Sequence, residues 1–392
     1  MTRFARVRIV LPAAALAAAA LAAAVYASSS DLSLHRPRPA SASFVAMRAG
    51  AGAIDDRKVA SIGHALQQAS ASGWNGESYT TNDGKQIGIY FSSYYLNDPS
   101  IRASWVPFLS WLPHGDEMNG LQVYLAPLSQ VTAICGAGAV GCYSDYDNYL
   151  VVAGDRSTGV PIEQVLAHEY GHRIAAHRLN SPWSSEEYGP KYWATYANVC
   201  QRTAQGSAFP GDEGVNYANN PGEAFADTYR AYVVSLATGT DWATNVPFLT
   251  PSFPNDDAAQ YWVATDVHSG WPGPENTSWA GTVKRPIVAK RVHETVRVHG
   301  KRTQKWKTVR VPSGVPKPAF LTVETPLDGD LEATIENAPN GATLSVLDSS
   351  GTTAIGPVGV QHAAFTICGQ RSVTLSLRSS NPGSFSVSLS KP

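Results

Sequence analysis

The amino-acid sequence predicts an α+β body, a mixed sheet with helices, followed by a small all-β sandwich domain. Three observations carry this expectation. Short β-rich runs at residues 86–95, 121–125 and 149–152 precede two long helix-like segments, one opening near Pro161 and one near Asn220. Beyond Pro318 the texture changes to alternating apolar and polar residues, with Gly, Pro, Asn and Asp turns between the runs, the pattern of antiparallel strands buried on one face. A chain of 392 residues is long enough for two such domains.

Residues 1–27 read as a secretory signal. Arg3, Arg6 and Arg8 give a basic start, residues 9–25 are an almost unbroken Ala/Leu run, and Val25 and Ala27 stand at the cleavage-site spacing. The expectation is a secreted, extracellular protein that keeps no membrane attachment after cleavage. The alternative is anchoring through an uncleaved N-terminal segment, because the apolar run is nearly long enough to span a bilayer. Residues 28–52, rich in Ser, Ala and Pro, read as a flexible leader or pro-segment remnant. Residues 56–70 have helical spacing, with Val59, Ile62, Ala65 and Leu66 on one side.

The first, mixed-sheet domain is expected over residues 53–282. After the strand at 86–95, residues 101–112 read as one helix bearing Trp105, Phe108 and Trp111. Cys135 and Cys142 bracket a small-residue run that a disulfide can close, and Cys200 and Cys368 then pair by default. Spacing alone allows three connectivities. No Cys-x-x-Cys pair is present, so a cysteine metal site is not expected. Asp145/Asp147 and Asp256/Asp257 match no calcium loop, and no calcium is assigned to them. The net charge of −1 hides an asymmetry: residues 284–317 carry 11 Lys/Arg against one acid, Glu294. This block, within a basic linker or hairpin at 283–317, is a candidate for contact with an anionic surface or polymer. Nucleic acid is not expected, because Trp306 is the block's one aromatic ring of the stacking kind. Residues 318–392 form the β-sandwich, with strands at 331–335, 342–346, 372–377 and 384–389.

The chemistry concentrates in His168-Glu169-Tyr170-Gly171-His172. Pro161 suits the first turn of the helix carrying it, and Asn180-Ser181-Pro182 ends that run. Residues four apart on a helix share a face, so His168 and His172 can grip one metal ion while Glu169 reaches a bound water. Val165, Leu166, Ala167, Ile174 and Ala175 surround the motif with apolar surface, and Gly171 lets a neighbouring helix approach closely. A catalytic zinc needs a third protein ligand. Ala175 and Arg178 occupy the positions where the metzincin pattern has Gly and a third His, and His177 falls roughly 140° round the helix from His172.

The other completion comes from Asn220-Pro221-Gly222-Glu223-Ala224-Phe225-Ala226-Asp227, where Glu223 and Asp227 share a face at i, i+4. With the HExxH helix, this resembles the gluzincin class of zincin metallopeptidases. The resemblance implies a zincin-like catalytic domain binding Zn2+ through His168, His172 and Glu223. It further implies that Asp227 accepts the outer N–H of a ligand histidine, and that Glu169 is the general base in cleaving a protein or peptide substrate. Glu223 has a competing role at the N3 position of a capping box with Asn220. Glu186 and Glu187 are the alternative third ligands. Tyr217, Tyr229, Tyr232 and His177 are candidates for meeting the oxyanion, and the strand at 149–152 for pairing with substrate as a sheet edge. A different functional class also fits: an inactive zincin-like protein that binds surfaces through its basic segment and sandwich.

Overall fold

A computed structural model describes residues 73–144, 148–154, 160–239 and 249–392. The expected signal, leader and 56–70 helix lie outside the described residues, as do Asp145 and Asp147. The chain divides into two compact units, Met1–Trp271 and Pro272–Pro392. Among the described residues, no helix is long and apolar enough to cross a membrane.

The first unit is built on β1 (Trp74–Thr80), β2 (Gln86–Ser92), β3 (Leu121–Ala126), β4 (Gly141–Ser144) and β5 (Tyr149–Ala153). Their order in the sheet is β1-β2-β3-β5-β4, parallel across β2-β3-β5 and antiparallel at both ends. The stretch expected as one helix, 101–112, is two: α1 (Pro99–Ala103), capped by Asp98, and α2 (Trp105–Trp111). Helix α3 (Leu128–Cys135) leads through the Cys135–Cys142 disulfide loop into β4. Cys200 and Cys368 are disulfide-bonded as well. Side chains alternate along the strands: Leu150 and Val152 join Ile89, Val123 and Leu125 in the main core, while Val151 and Ala153 pack with Ile134 and the Cys135–Cys142 bridge.

The strand at 149–152, expected at the sheet's edge, is internal. Strand β5 is flanked by β3 and β4, so among the described strands β4 is the outermost on that side. The disulfide loop returns the chain outside β5, and a four-residue Gly-Cys-Tyr-Ser strand offers too little alternation to be read from sequence.

Six further helices are described in this unit: α4 (Ile162–Ala176), α5 (Ser185–Tyr188), α6 (Lys191–Tyr196), α7 (Val199–Ala204), α8 (Pro221–Thr238) and α9 (Asp257–Ser269). The boundaries of α8 follow local chemistry. Asn220 caps the Gly222 N–H at 3.0 Å, Pro221 fills the first helical position, and Gly239 ends the helix at φ 62°.

The second unit contains β6 (Glu275–Val283), β7 (Ile287–Val298), β8 (Lys301–Pro312), β9 (Ala319–Glu324), β10 (Gly329–Asn337), β11 (Thr343–Leu347), β12 (Ala354–Val360), β13 (His362–Ile367), β14 (Ser372–Arg378) and β15 (Gly383–Lys391). Two four-stranded antiparallel sheets, β13-β10-β15-β6 and β12-β11-β14-β9, share one core that includes Leu331 and Val387 from one sheet and Leu344 and Leu375 from the other. Residues 272–282, expected in the first domain, belong here. Strand β6 pairs with β15 along its whole length and buries Val283 in the sandwich core. Most of its other side chains are exposed, which erased the alternation that would have marked it. Strands β7 and β8 form a separate two-stranded hairpin.

The motif helix α4 is buried along its length, with only His172 and Ala176 partly exposed. It crosses α8 at Gly171. A Cβ built there would lie 2.7 Å from the Ala226 Cα, a backbone atom that cannot step aside. On an exposed helix, Gly→Ala gains about 1 kcal/mol. Here Gly171→Ala is expected to destabilise by about 1–3 kcal/mol through overpacking, checked by denaturant unfolding of the two proteins. A gain in stability would contradict this account of the crossing.

Candidate metal centre

Each turn around the crossing positions a polar group. His168 lies one turn before Gly171 on α4, and Glu223 lies one turn before Ala226 on α8. Three atoms meet there. His168 Nε2 is 3.2 Å from Glu223 Oε2 and 3.3 Å from His172 Nε2, and the third side, His172 Nε2 to Glu223 Oε2, is 3.5 Å. The imidazole planes are inclined at 78°. His168 is fully buried, and the side chains of Glu223 and His172 are 4 % and 13 % exposed.

The sides of this triangle fit a metal ion. A tetrahedral ion with bonds of about 2.0–2.1 Å separates its ligand atoms by about 3.3 Å, close to all three sides. The group could therefore hold a metal ion. Glu223 also resolves its competing role: the Asn220 side chain caps Gly222 N, while the Glu223 carboxylate turns to the histidines.

Asp227 departs from its expected role. It is fully buried one turn beyond Glu223, but Arg230 Nε donates to its Oδ1 at 2.7 Å and the Leu249 N–H donates to its Oδ2 at 2.5 Å. Arg230 Nη1 in turn donates to Gln164 Oε1 on α4 at 2.7 Å. Asp227 thus holds an arginine that ties α8 to α4, and holds no imidazole. Its i, i+4 spacing from Glu223 is that of the gluzincin pattern; the i, i+3 spacing to Arg230 is the one the fold uses.

A second anchor fixes the other half of α4. Arg173 donates to Glu117 O at 2.6 Å, Asn148 Oδ1 at 2.7 Å and Asn119 O at 3.1 Å. The Tyr170 hydroxyl donates to Glu117 Oε1 at 3.1 Å. Burial would push the Glu117 carboxyl up, but the Arg178 guanidinium and neighbouring N–H donors outweigh it and hold the group below its ordinary value.

Glu169 is fully buried and lines a cleft together with His172, Glu223 and Tyr143 of β4. Strand β4 passes directly over it: a Cβ at Gly141 would lie 2.5 Å from Glu169 Oε1. The alternative ligands Glu186 and Glu187 line the same cleft, with Glu213, and stand outside the metal triangle. Of the four expected oxyanion candidates, none lines the cleft. The Tyr229 hydroxyl donates to Pro113 O at 2.8 Å, and His177 Nδ1 meets Arg173 O at 2.9 Å. Tyr143 is the group that sequence reasoning missed, because nothing in Gly-Cys-Tyr-Ser marks it as an edge strand over the motif.

No protein-family model matches the chain, nor does any curated protein or solved structure. The ligand set is separable by metal content. Glu223→Ala is expected to lower metal affinity by roughly 100-fold or more, while Glu186→Ala and Glu187→Ala retain about one ion per chain by plasma emission spectroscopy. Undiminished binding by Glu223→Ala would remove it from the centre.

Proposed function

We propose that the chain is a zinc-dependent peptidase of the zincin type, with Glu169 as its general base. The observation that carries this reading is the meeting of a His168–His172–Glu223 triangle with a buried carboxylate in one cleft. Two histidines and a carboxylate are a donor set that catalytic zinc uses. Zinc, when bound, acidifies a water and polarises a carbonyl. Glu169 accepts the water proton and returns it to the leaving amine. Gly141 leaves the space that the Glu169 carboxylate fills, so the backbone of the edge strand and the base are neighbours. Tyr143, a residue of the cleft lining, is the donor we assign to the developing oxyanion.

The cleft wall also bears on substrate preference. Glu186, Glu187 and Glu213 add carboxylates to a cavity that already holds Glu169 and Glu223. We propose that Glu187 on this wall favours a cationic side chain beside the scissile bond.

Two experiments follow. Glu169→Gln is expected to lower cleavage of denatured casein by about 10²–10⁴-fold with metal content unchanged; a zinc chelator removes wild-type activity and added zinc restores it. Full metal occupancy with no turnover on a peptide library would favour the inactive, surface-binding reading instead. The double variant Glu186→Gln/Glu187→Gln is expected to lower kcat/KM for peptides with Lys or Arg at the cleavage site by roughly tenfold, leaving neutral peptides nearly unchanged. Equal losses on both would show that the wall does not select charge.

A further inference from the structure

The β7–β8 hairpin sorts its charges by face. The turn is His299-Gly300, with φ 49° and 80°, the two positive values of a type I′ connection. It pairs Val298 with Lys301 and Ile287 with Pro312. Directly paired residues share a face, and alternate residues along a strand change face. One face therefore carries Arg291, Arg297, Arg302 and Arg310, together with His293 and Trp306. The other carries Lys290, Lys301, Lys305 and Lys307, the hairpin's one acid, Glu294, and the half-buried Val292, Val296, Val309 and Val311. All four strand arginines lie on one side and all four lysines on the other. Contacts agree: His293 and Trp306 ring centroids are 3.6 Å apart and Arg291 lies 5.7 Å from the Trp306 ring, while Lys307 meets Glu294 at 3.4 Å.

The arginine face is exposed throughout and carries no carboxylate. Arg297 and Arg302 are directly opposed in the ladder, an arrangement that costs stability when nothing lies between the charges. Guanidinium differs from ammonium in offering a planar fork that grips a sulfate or phosphate with paired hydrogen bonds. The cationic rows, from Arg310 to the Arg297/Arg302 pair, run about 27 Å along a ribbon two strands wide.

We propose that this face binds a linear polysaccharide carrying sulfate or phosphate esters. A narrow line of charge matches a rod-like chain better than a plane of lipid headgroups. Single-stranded nucleic acid uses successive open aromatic platforms, whereas the Trp306 ring is approached by His293 and Arg291. The assignment rests on the hairpin alone and is independent of the peptidase reading.

The test uses the full chain and fluorescent dextran sulfate, dextran phosphate and neutral dextran at physiological ionic strength. Wild type should bind at least one of the charged dextrans and leave the neutral one free. The variant R291Q/R297Q/R302Q/R310Q should weaken binding on the order of 100-fold, and K290Q/K301Q/K305Q/K307Q, which removes the same charge, by less than about tenfold. Replacing the four arginines by lysine should recover only part of the loss. Circular dichroism and Tm confirm that each variant is folded. Equal losses in the two sets, no binding to either charged dextran, or tighter binding of wild type to anionic lipid vesicles or duplex DNA would overturn the proposal.

Discussion

The candidate centre depends on how closely two helices approach at Gly171 and Ala226. Every atom in the triangle is referred to that crossing: His168 and His172 flank Gly171 on one helix, and Glu223 precedes Ala226 by a turn on the other. Sides of 3.2–3.5 Å tolerate little error. A side chain between the helices would push Glu223 away by more than a ligand can bridge, since metal–ligand bonds vary by only a few tenths of an ångström. Glycine lowers helix propensity, and the fold offsets that cost by burying nearly all of α4.

Polar interactions then hold the crossing in register. Arg230 joins Asp227 to Gln164 across the two helices, and all three side chains are fully buried. Arg173 ties the same helix to the loop before β3 and to Asn148, ahead of β5. Removing one partner of such a buried pair leaves an uncompensated charge, usually costing several kcal/mol. The scaffold thus positions by rigid pairs around the candidate site, and His172, the member of the triangle on α4 that is not fully buried, lines the cleft. Two buried carboxylates, Glu169 and Glu223, share that cleft, and a cation held there would offset their charge.

What could be read from the sequence was whatever local periodicity encodes. The i, i+4 histidine pair, the Asn220-Pro221 helix start, the Gly239 stop and the alternating strands at 331–335 and 372–377 are local statements, and each appears in the fold. What could not be read was spatial order. Nothing in residues 141–144 says that they lie outside residues 149–153, so the edge strand was misplaced and Tyr143 was overlooked. Asp227 failed for a different reason: its spacing satisfied two roles equally, and only the position of Arg230 and of Leu249, more than twenty residues on, decides between them. The β6 strand was lost because an edge strand exposed on most of its length carries no alternating pattern.

The hairpin shows how much one turn can decide. Its arginines fall on odd positions in β7 and even positions in β8. A two-residue turn pairs odd with even, so all four share a face. A connection one residue longer or shorter would pair odd with odd and set Arg291 and Arg297 beside the lysines of β8, dissolving the separation. His299-Gly300 is therefore more than a connector: positive φ at both positions selects the turn type, the turn type selects the register, and the register builds the arginine face. The basic composition of the segment was visible in the sequence as a net charge. Its organisation into two chemically distinct surfaces emerges only once the turn has set the pairing.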